Sequence, residues 1–167
     1  MDKLNNQILL NHLVEKFGDQ IQNIGEPHGL LTIETSKDSI IEVLQYLKQD
    51  AYLKMNFLTD ITAVHYPNQP KAFAVVYHVH AMVYNVRLRI KVFIDGENPS
   101  IPTATTVYNG ANWMERETYD FFGIQFEGHP DLRRILNMDE LDVFPMRREY
   151  PLEDPNRIDK KDFYFGR

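Results

Sequence analysis

The apolar positions change period along the chain, and each change marks an element. Leu4, Ile8, Leu9, Leu13, Val14 and Phe17 recur at helical spacing and Gly18 offers a left-handed stop, which predicts an amphipathic helix over 4–17. Leu30, Leu31 and Ile33 form a short strand-like run after the Glu26-Pro27-His28-Gly29 turn. Ser36 reads as a helix N-cap with Asp38 in the first turn, and Ile40, Ile41, Leu44 and Leu47 mark a second helix ending near Gln49. Residues 56–66 read as a strand closed by Pro67 and Pro70.

The clearest pattern follows. Phe73, Val75, Tyr77, Val79 and Ala81 alternate with Ala74, Val76, His78, His80 and Met82. Val86, Leu88, Ile90, Val92 and Ile94 alternate with Arg87, Arg89 and Lys91, until Asp95-Gly96 and Asn98-Pro99 end the run. Two period-2 runs in close succession predict an antiparallel hairpin with one buried and one wet face. Helical character returns from Trp113 to Phe122, and Gly123 ends it.

Beyond Phe126 the texture changes. Pro130, Pro145, Pro151 and Pro155 interrupt a segment rich in charges of both signs, yet Leu132, Ile135, Leu136, Leu141, Val143, Phe144, Tyr150, Phe163, Tyr164 and Phe165 remain. Such a segment is too proline-broken for a helix and too apolar to be a solvated tail. The expectation is an α+β domain over 1–126, with helices packed on a mainly antiparallel sheet, and an extended C-terminal partner-binding segment over 127–167.

Composition narrows the function. Apolar residues make up 43% of the 167, enough for one compact domain with an appendage. The net charge of -6 repels nucleic-acid phosphates and anionic lipid, so neither is expected as a partner. No cysteine is present, which removes disulfides, thiolate zinc sites, Cys-ligated iron–sulfur clusters and Cys nucleophiles. Met1 to Leu10 carries no basic run ahead of an apolar stretch, so no signal peptide is read there. No apolar run approaches the ~20 residues of a membrane span. A soluble, cytoplasmic chain is expected.

Glu115-Arg116-Glu117, Asp120, His129 and Arg133-Arg134 form the densest cluster of chemically active groups. On a helix Arg116 and Glu117 lie four and three residues before Asp120, so all three share a face. One reading is a buried polar junction or partner contact. The other is a solvated face whose ion pairs are worth ~0–1 kcal/mol each. Trp113 and Phe121-Phe122 bracket the charges, while Gly123 and Gly128-His129-Pro130 set the chain's exit. An aromatic frame implies desolvation, and desolvated carboxylates need defined partners.

Metal or acid–base chemistry at Glu115, Glu117, Asp120 and His129 has less support. No second histidine stands at ligand spacing from His129, and no nucleophile or oxyanion device accompanies it. His78 and His80 share a strand face and could grip a metal, but Arg87, Arg89 and Lys91 would oppose a cation there. Gly25, Gly29, Gly96 and Gly110 form no phosphate-cradling pattern.

The run Ala111-Asn112-Trp113-Met114-Glu115-Arg116-Glu117-Thr118-Tyr119-Asp120-Phe121-Phe122-Gly123-Ile124, continued by Gly128-His129-Pro130-Asp131-Leu132-Arg133-Arg134-Ile135-Leu136, strongly resembles the signature of the C-type, peripheral-arm subunits of NADH–quinone oxidoreductase, respiratory complex I. Phe144-Pro145-Met146-Arg147-Arg148 and Tyr150-Pro151-Leu152 also look like that family's tail, so the specific likeness covers the last third of the chain. The resemblance implies a non-catalytic structural subunit of the hydrophilic arm of a proton-translocating complex that couples NADH oxidation to quinone reduction. It implies a peripheral position on the cytoplasmic side of the cell inner membrane, without membrane insertion. The C-terminal segment would pack on the large quinone-side subunit. FMN, iron–sulfur clusters and quinone would be held by partner subunits and no cofactor by this chain.

Within that resemblance Glu115, Arg116, Glu117 and Asp120 would form an ion-pair junction at or near the interface, with His129, Arg133 and Arg134 steering the first residues of the tail. Loss of Arg116 would then strand a carboxylate. Two rival readings differ in what surrounds or fills the chain. An equivalent chain could serve a membrane-bound hydrogenase, formate hydrogenlyase or ferredoxin–plastoquinone complex. A free-standing metal-dependent hydrolase would instead use His129 or the His78/His80 pair.

Overall fold

A computed structural model describes residues 3–150. The first helix, α1 (Asn6–Phe17), starts two residues later than its apolar pattern because Asn5 caps it, its side-chain oxygen accepting from the Ile8 N–H at 2.9 Å. Leu4 and Leu9 then occupy the N′ and N4 positions of a hydrophobic staple, and both are buried in the core. Gly18 ends the helix at φ 51°, where a side chain would be strained.

Strands β1 (Gln22–Gly25) and β2 (Leu31–Glu34) precede α2 (Ile40–Gln49), which buries Ile40, Val43, Leu44 and Leu47. Ser36 does not cap α2 directly. Its hydroxyl accepts the Ser39 N–H at 3.2 Å and closes a turn ahead of the helix. Strands β3 (Phe57–His65), β4 (Phe73–Ala81) and β5 (Val86–Ile94) follow. The hairpin between β4 and β5 stands in the predicted place, pairing Tyr77 with Ile90.

The five strands form one mixed sheet in the order β1-β2-β5-β4-β3. All pairings are antiparallel except β2 with β5, where Leu31 lies opposite Leu88 and Ile33 opposite Ile90. The fold is therefore α+β with a mainly antiparallel sheet. The odd-numbered side chains of β4 and the even-numbered ones of β5 join the buried faces of α1 and α2 in a single core.

The opposite face keeps its alternation on β5, with Arg87 exposed and Arg89 and Lys91 half-buried. On β4 it does not, because Ala74, Val76 and His80 are buried too. These groups sit on a central strand, where Val76 lies between Thr62 and Lys91.

Strands β6 (Ser100–Pro102) and β7 (Gln125–Glu127) pair in parallel on either side of α3 (Ala111–Phe122). The Gln125 N–H donates to Pro99 O at 2.8 Å and the Thr103 N–H to Glu127 O at 2.9 Å. Entry to and exit from α3 are thus bound together. Neither strand was legible in the sequence, since three residues carry no period. Residues 128–150 form turns without a regular element and run back across the end of α3. The sequence readings at Pro151, Leu152, Pro155, Phe163, Tyr164 and Phe165 lie outside the described residues.

Candidate functional site

The signature residues lie on α3 and on the turns that fold back over it. Successive positions on a helix rotate by about 100°, so Glu115 and Asp120, five apart, point roughly 140° away from each other. Both are completely buried, in separate surroundings.

Glu115 faces the core. Thr103 Oγ1 donates to its Oε2 and the Ala104 N–H to its Oε1, each at 2.6 Å. Burial raises its pKa to about 7, and the bonds from Thr103 and Ala104 only partly offset this. Tyr77, from β4, is also wholly buried, and its hydroxyl has no hydrogen-bond partner among the described residues. Burial, with the Glu115 carboxylate nearby, raises the Tyr77 pKa well above its ordinary value.

Asp120 faces the returning chain. Arg134 Nη1 donates to its Oδ1 at 2.7 Å, and the side-chain amide of Asn137 donates to the same oxygen at 3.1 Å. Its Oδ2 accepts three consecutive backbone N–H groups, those of Ile135, Leu136 and Asn137, at 3.1, 2.8 and 2.9 Å. Burial opposes the charge, but the Asn137 and Leu136 N–H groups, Arg134 and the Asn137 amide outweigh it. The carboxyl is held well below the usual range. Arg134 is nearly buried and also donates to Leu141 O and Val143 O. One ion pair therefore organises a turn that contains no secondary structure.

Arg116 does not pair with a carboxylate among the described residues. Its Nε donates to Arg133 O at 3.2 Å and its Nη2 to Arg134 O at 3.0 Å. The stranded charge anticipated from losing Arg116 would come instead from losing Arg134. Glu117 is exposed, as is Trp113 with 60% of its surface accessible. Arg133 is exposed and paired with Asp131 at 2.9 Å. Thus Asp120, Arg116 and Arg134 come together on one side of α3, whereas Glu115 stands apart and Glu117 faces solvent.

His129 uses both ring nitrogens. Nε2 lies 3.1 Å from Asn112 O, and Nδ1 accepts the Asp131 N–H at 3.0 Å, which assigns the proton to Nε2. The ring ties the exit after β7 to the first turn of α3. Among the described residues no three His, Asp or Glu groups converge on a point where a metal could sit.

Gly123 shows why the helix stops where it does. Its φ of 74° is left-handed, and a Cβ there would stand 2.5 Å from the Phe144 ring and 2.6 Å from Arg147 Nη2. Phe144 lies beneath two guanidinium groups, Arg134 at 5.1 Å and Arg147 at 4.8 Å from its centre. Arg147 Nε donates to Phe122 O at 2.6 Å and the Met146 N–H to Phe121 O at 3.1 Å, satisfying carbonyls at the helix end.

Sequence reasoning passed over Thr103, Ala104, Tyr77 and Asn137 as parts of this site. All four contribute a backbone group or a hydroxyl, which carry no motif. Phe144 and Arg147 were visible as tail residues, but their contacts with Gly123 and α3 require the return of the chain.

Known proteins share both the sequence and the fold. Residues 33–156 match a model of the family described as respiratory-chain NADH dehydrogenase, 30 Kd subunit. The chain is 42% identical over 144 residues to a C-type subunit of the NADH-quinone oxidoreductase of Rhizobium meliloti (strain 1021), covering 86% of this chain and 78% of that protein. Its fold resembles a trypsin-resistant fragment of Nqo5 at a TM-score of 0.66 and 30% identity, covering 77% of this chain and 100% of the fragment. A chain of an archaeal membrane-bound sulfane sulfur reductase shares the fold at a TM-score of 0.75, with 22% identity, 87% of this chain and 85% of that one covered.

Proposed function

The chain belongs to the family of the 30 kDa subunit of the respiratory-chain NADH dehydrogenase, and we propose that it acts as a non-catalytic structural subunit in the hydrophilic arm of a proton-translocating NADH–quinone oxidoreductase. NADH oxidation and quinone reduction take place on partner subunits, which hold the FMN, the iron–sulfur clusters and the quinone. The chain lies peripherally on the cytoplasmic side of the inner membrane. Among the described residues no helix is long and apolar enough to cross a bilayer.

One observation carries the reading. Asp120, Arg116 and Arg134 of the signature find their hydrogen-bond partners inside the chain, while large apolar groups around them stay outside. Trp113, Leu136, Met138 and Met146 are 55–67% exposed, on α3 and on the turns that fold back over it. An internal lock that presents aromatic and thioether groups outward suits protein docking, because such groups anchor interfaces. We assign this side, with the rest of 127–167, to the large quinone-side subunit. The end of regular secondary structure at Glu127, among the described residues, supports treating 1–126 as the body and 127–167 as the segment that reaches the partner.

The test is a tagged pull-down of the full chain from its own membranes in mild detergent, with identification of the co-purifying polypeptides. Recovery with flavin, iron–sulfur and quinone-side subunits and NADH–quinone activity is expected. Recovery with a nickel-hydrogenase set would transfer the chain to a related machine, and recovery alone with stoichiometric metal would overturn both.

A further inference from the structure

One face of the sheet is turned away from the core that α1 and α2 cover. None of its residues on β4 or β5 belongs to the core cluster. Two cross-strand rows run across it, with Thr32, Arg89, His78 and Asp60 in one and Glu34, Lys91, Val76 and Thr62 in the next. Arg87 follows on β5 opposite His80, which in turn lies opposite Phe57. Arg87, Arg89 and Lys91 therefore make a basic column down the middle of this face, beside the buried Val76 and His80, in a chain whose net charge is -6.

The charges on this face are incompletely answered. Arg89 Nε donates to His78 Nε2 at 2.9 Å, and Asp60 lies 4.0 Å from the other nitrogen of that ring. Glu34, opposite Lys91, instead accepts from the Asn23 side chain. Arg87 and Lys91 make no ion pair among the described residues. At one end of the column Phe57, at the start of β3, and Met82 and Val83, in the β4–β5 turn, are 49%, 59% and 67% exposed, although each is large and apolar.

We propose that this sheet face is a second docking surface of the chain, distinct from α3 and its return segment. Its occupant is a protein element of the same complex that sets an acidic strip along Arg87, Arg89 and Lys91 and an apolar group against Phe57 and Met82. Charge complementarity selects such an occupant. Three cations beside two carboxylates, on an acidic chain, are too few for anionic lipid, where each basic residue supplies only about 1 kcal/mol. The inference rests on the chain being a subunit of a larger assembly.

The chain has no cysteine, so Met82→Cys places a single thiol at the apolar end of the column. Its maleimide labelling is compared between the purified full chain and the complex recovered with it. At least a tenfold slower reaction in the complex is expected, and equal rates would overturn the proposal. Adding Arg87→Glu and Lys91→Glu to Met82→Cys should restore the fast rate in the complex. Protection that survives both reversals would refute the acidic occupant. Sedimentation with phosphatidylserine vesicles, lost on the same reversals, would replace the protein by a lipid surface and overturn it too. A complex recovered with the thiol fully reactive defeats this inference alone, whereas a chain that recovers no complex defeats the functional reading and this one with it.

Discussion

Glu115 and Asp120 have both left water, yet their surroundings drive them in opposite directions. For Asp120 five hydrogen bonds, counting Arg134, stabilise the charged form. Arg134→Ala leaves that carboxylate buried with its counter-ion gone, and should cost about 3–5 kcal/mol in urea unfolding. Arg116→Ala removes bonds to two carbonyls and should cost much less, about 1–2 kcal/mol. Equal losses would mean that Arg134 is not the partner that matters. Glu115 titrates the other way. Between its ordinary value of 4.5 and about 7 the unfolded chain has released this proton while the fold retains it. Stability through this group is therefore full below 4.5, falls as pH rises to about 7, and then levels off, a change on the order of 3 kcal/mol. Glu115→Gln, a mimic of the neutral acid, should flatten that slope in denaturation measured from pH 4.5 to 8. The depressed Asp120 acts with opposite sign, since its contribution is present above its ordinary value of 3.8 and is lost as pH falls below it. Tyr77→Phe deletes a buried hydroxyl without a partner among the described residues and should be neutral or slightly stabilising.

At the scale of elements, α3 depends on what lies after it. Glycine at 123 provides the left-handed turn, and the vacant Cβ position lets Phe144 and Arg147 close over the helix end. Gly123→Ala should destabilise by about 1–3 kcal/mol through strain and overpacking, with a fall in thermal midpoint as the readout. The same substitution at Gly110, where a Cβ would meet nothing within 4 Å, is the control. The period-2 runs announced β4 and β5 because each long strand buries alternate residues. Strands β1, β6 and β7 were silent, being four, three and three residues long. The α3 signature was legible as a cluster, but not its division. Sequence spacing put Arg116 and Asp120 on one face correctly, yet a long guanidinium side chain can reach past its neighbour to carbonyls seventeen and eighteen residues away.

For the whole molecule, the C-terminal segment is both part of the fold and a route outward. A chain ending at residue 150 keeps every described contact of Asp120, whereas one ending at 129 removes Arg134, Asn137, Phe144 and Arg147 together. The longer truncation product should therefore keep a native circular-dichroism spectrum and melting transition while losing recovery in the complex. The shorter one should melt earlier. If the chain ending at 150 joins the complex as well as the full chain does, residues 151–167 are not the attachment we assign to them.

The sequence by itself determined the class of fold, the two long helices of the N-terminal half, the central hairpin and the family. Those features rest on local periodicity and on a long, chemically mixed motif, and both survive in one dimension. Only the tertiary structure decided that β2 runs parallel to β5, that Glu115 and Asp120 belong to different environments, and that Arg134 is the counter-ion of Asp120. Each of these depends on groups brought together from distant parts of the chain. Several are backbone N–H and C=O groups, which every residue but proline carries in full and no residue name reveals.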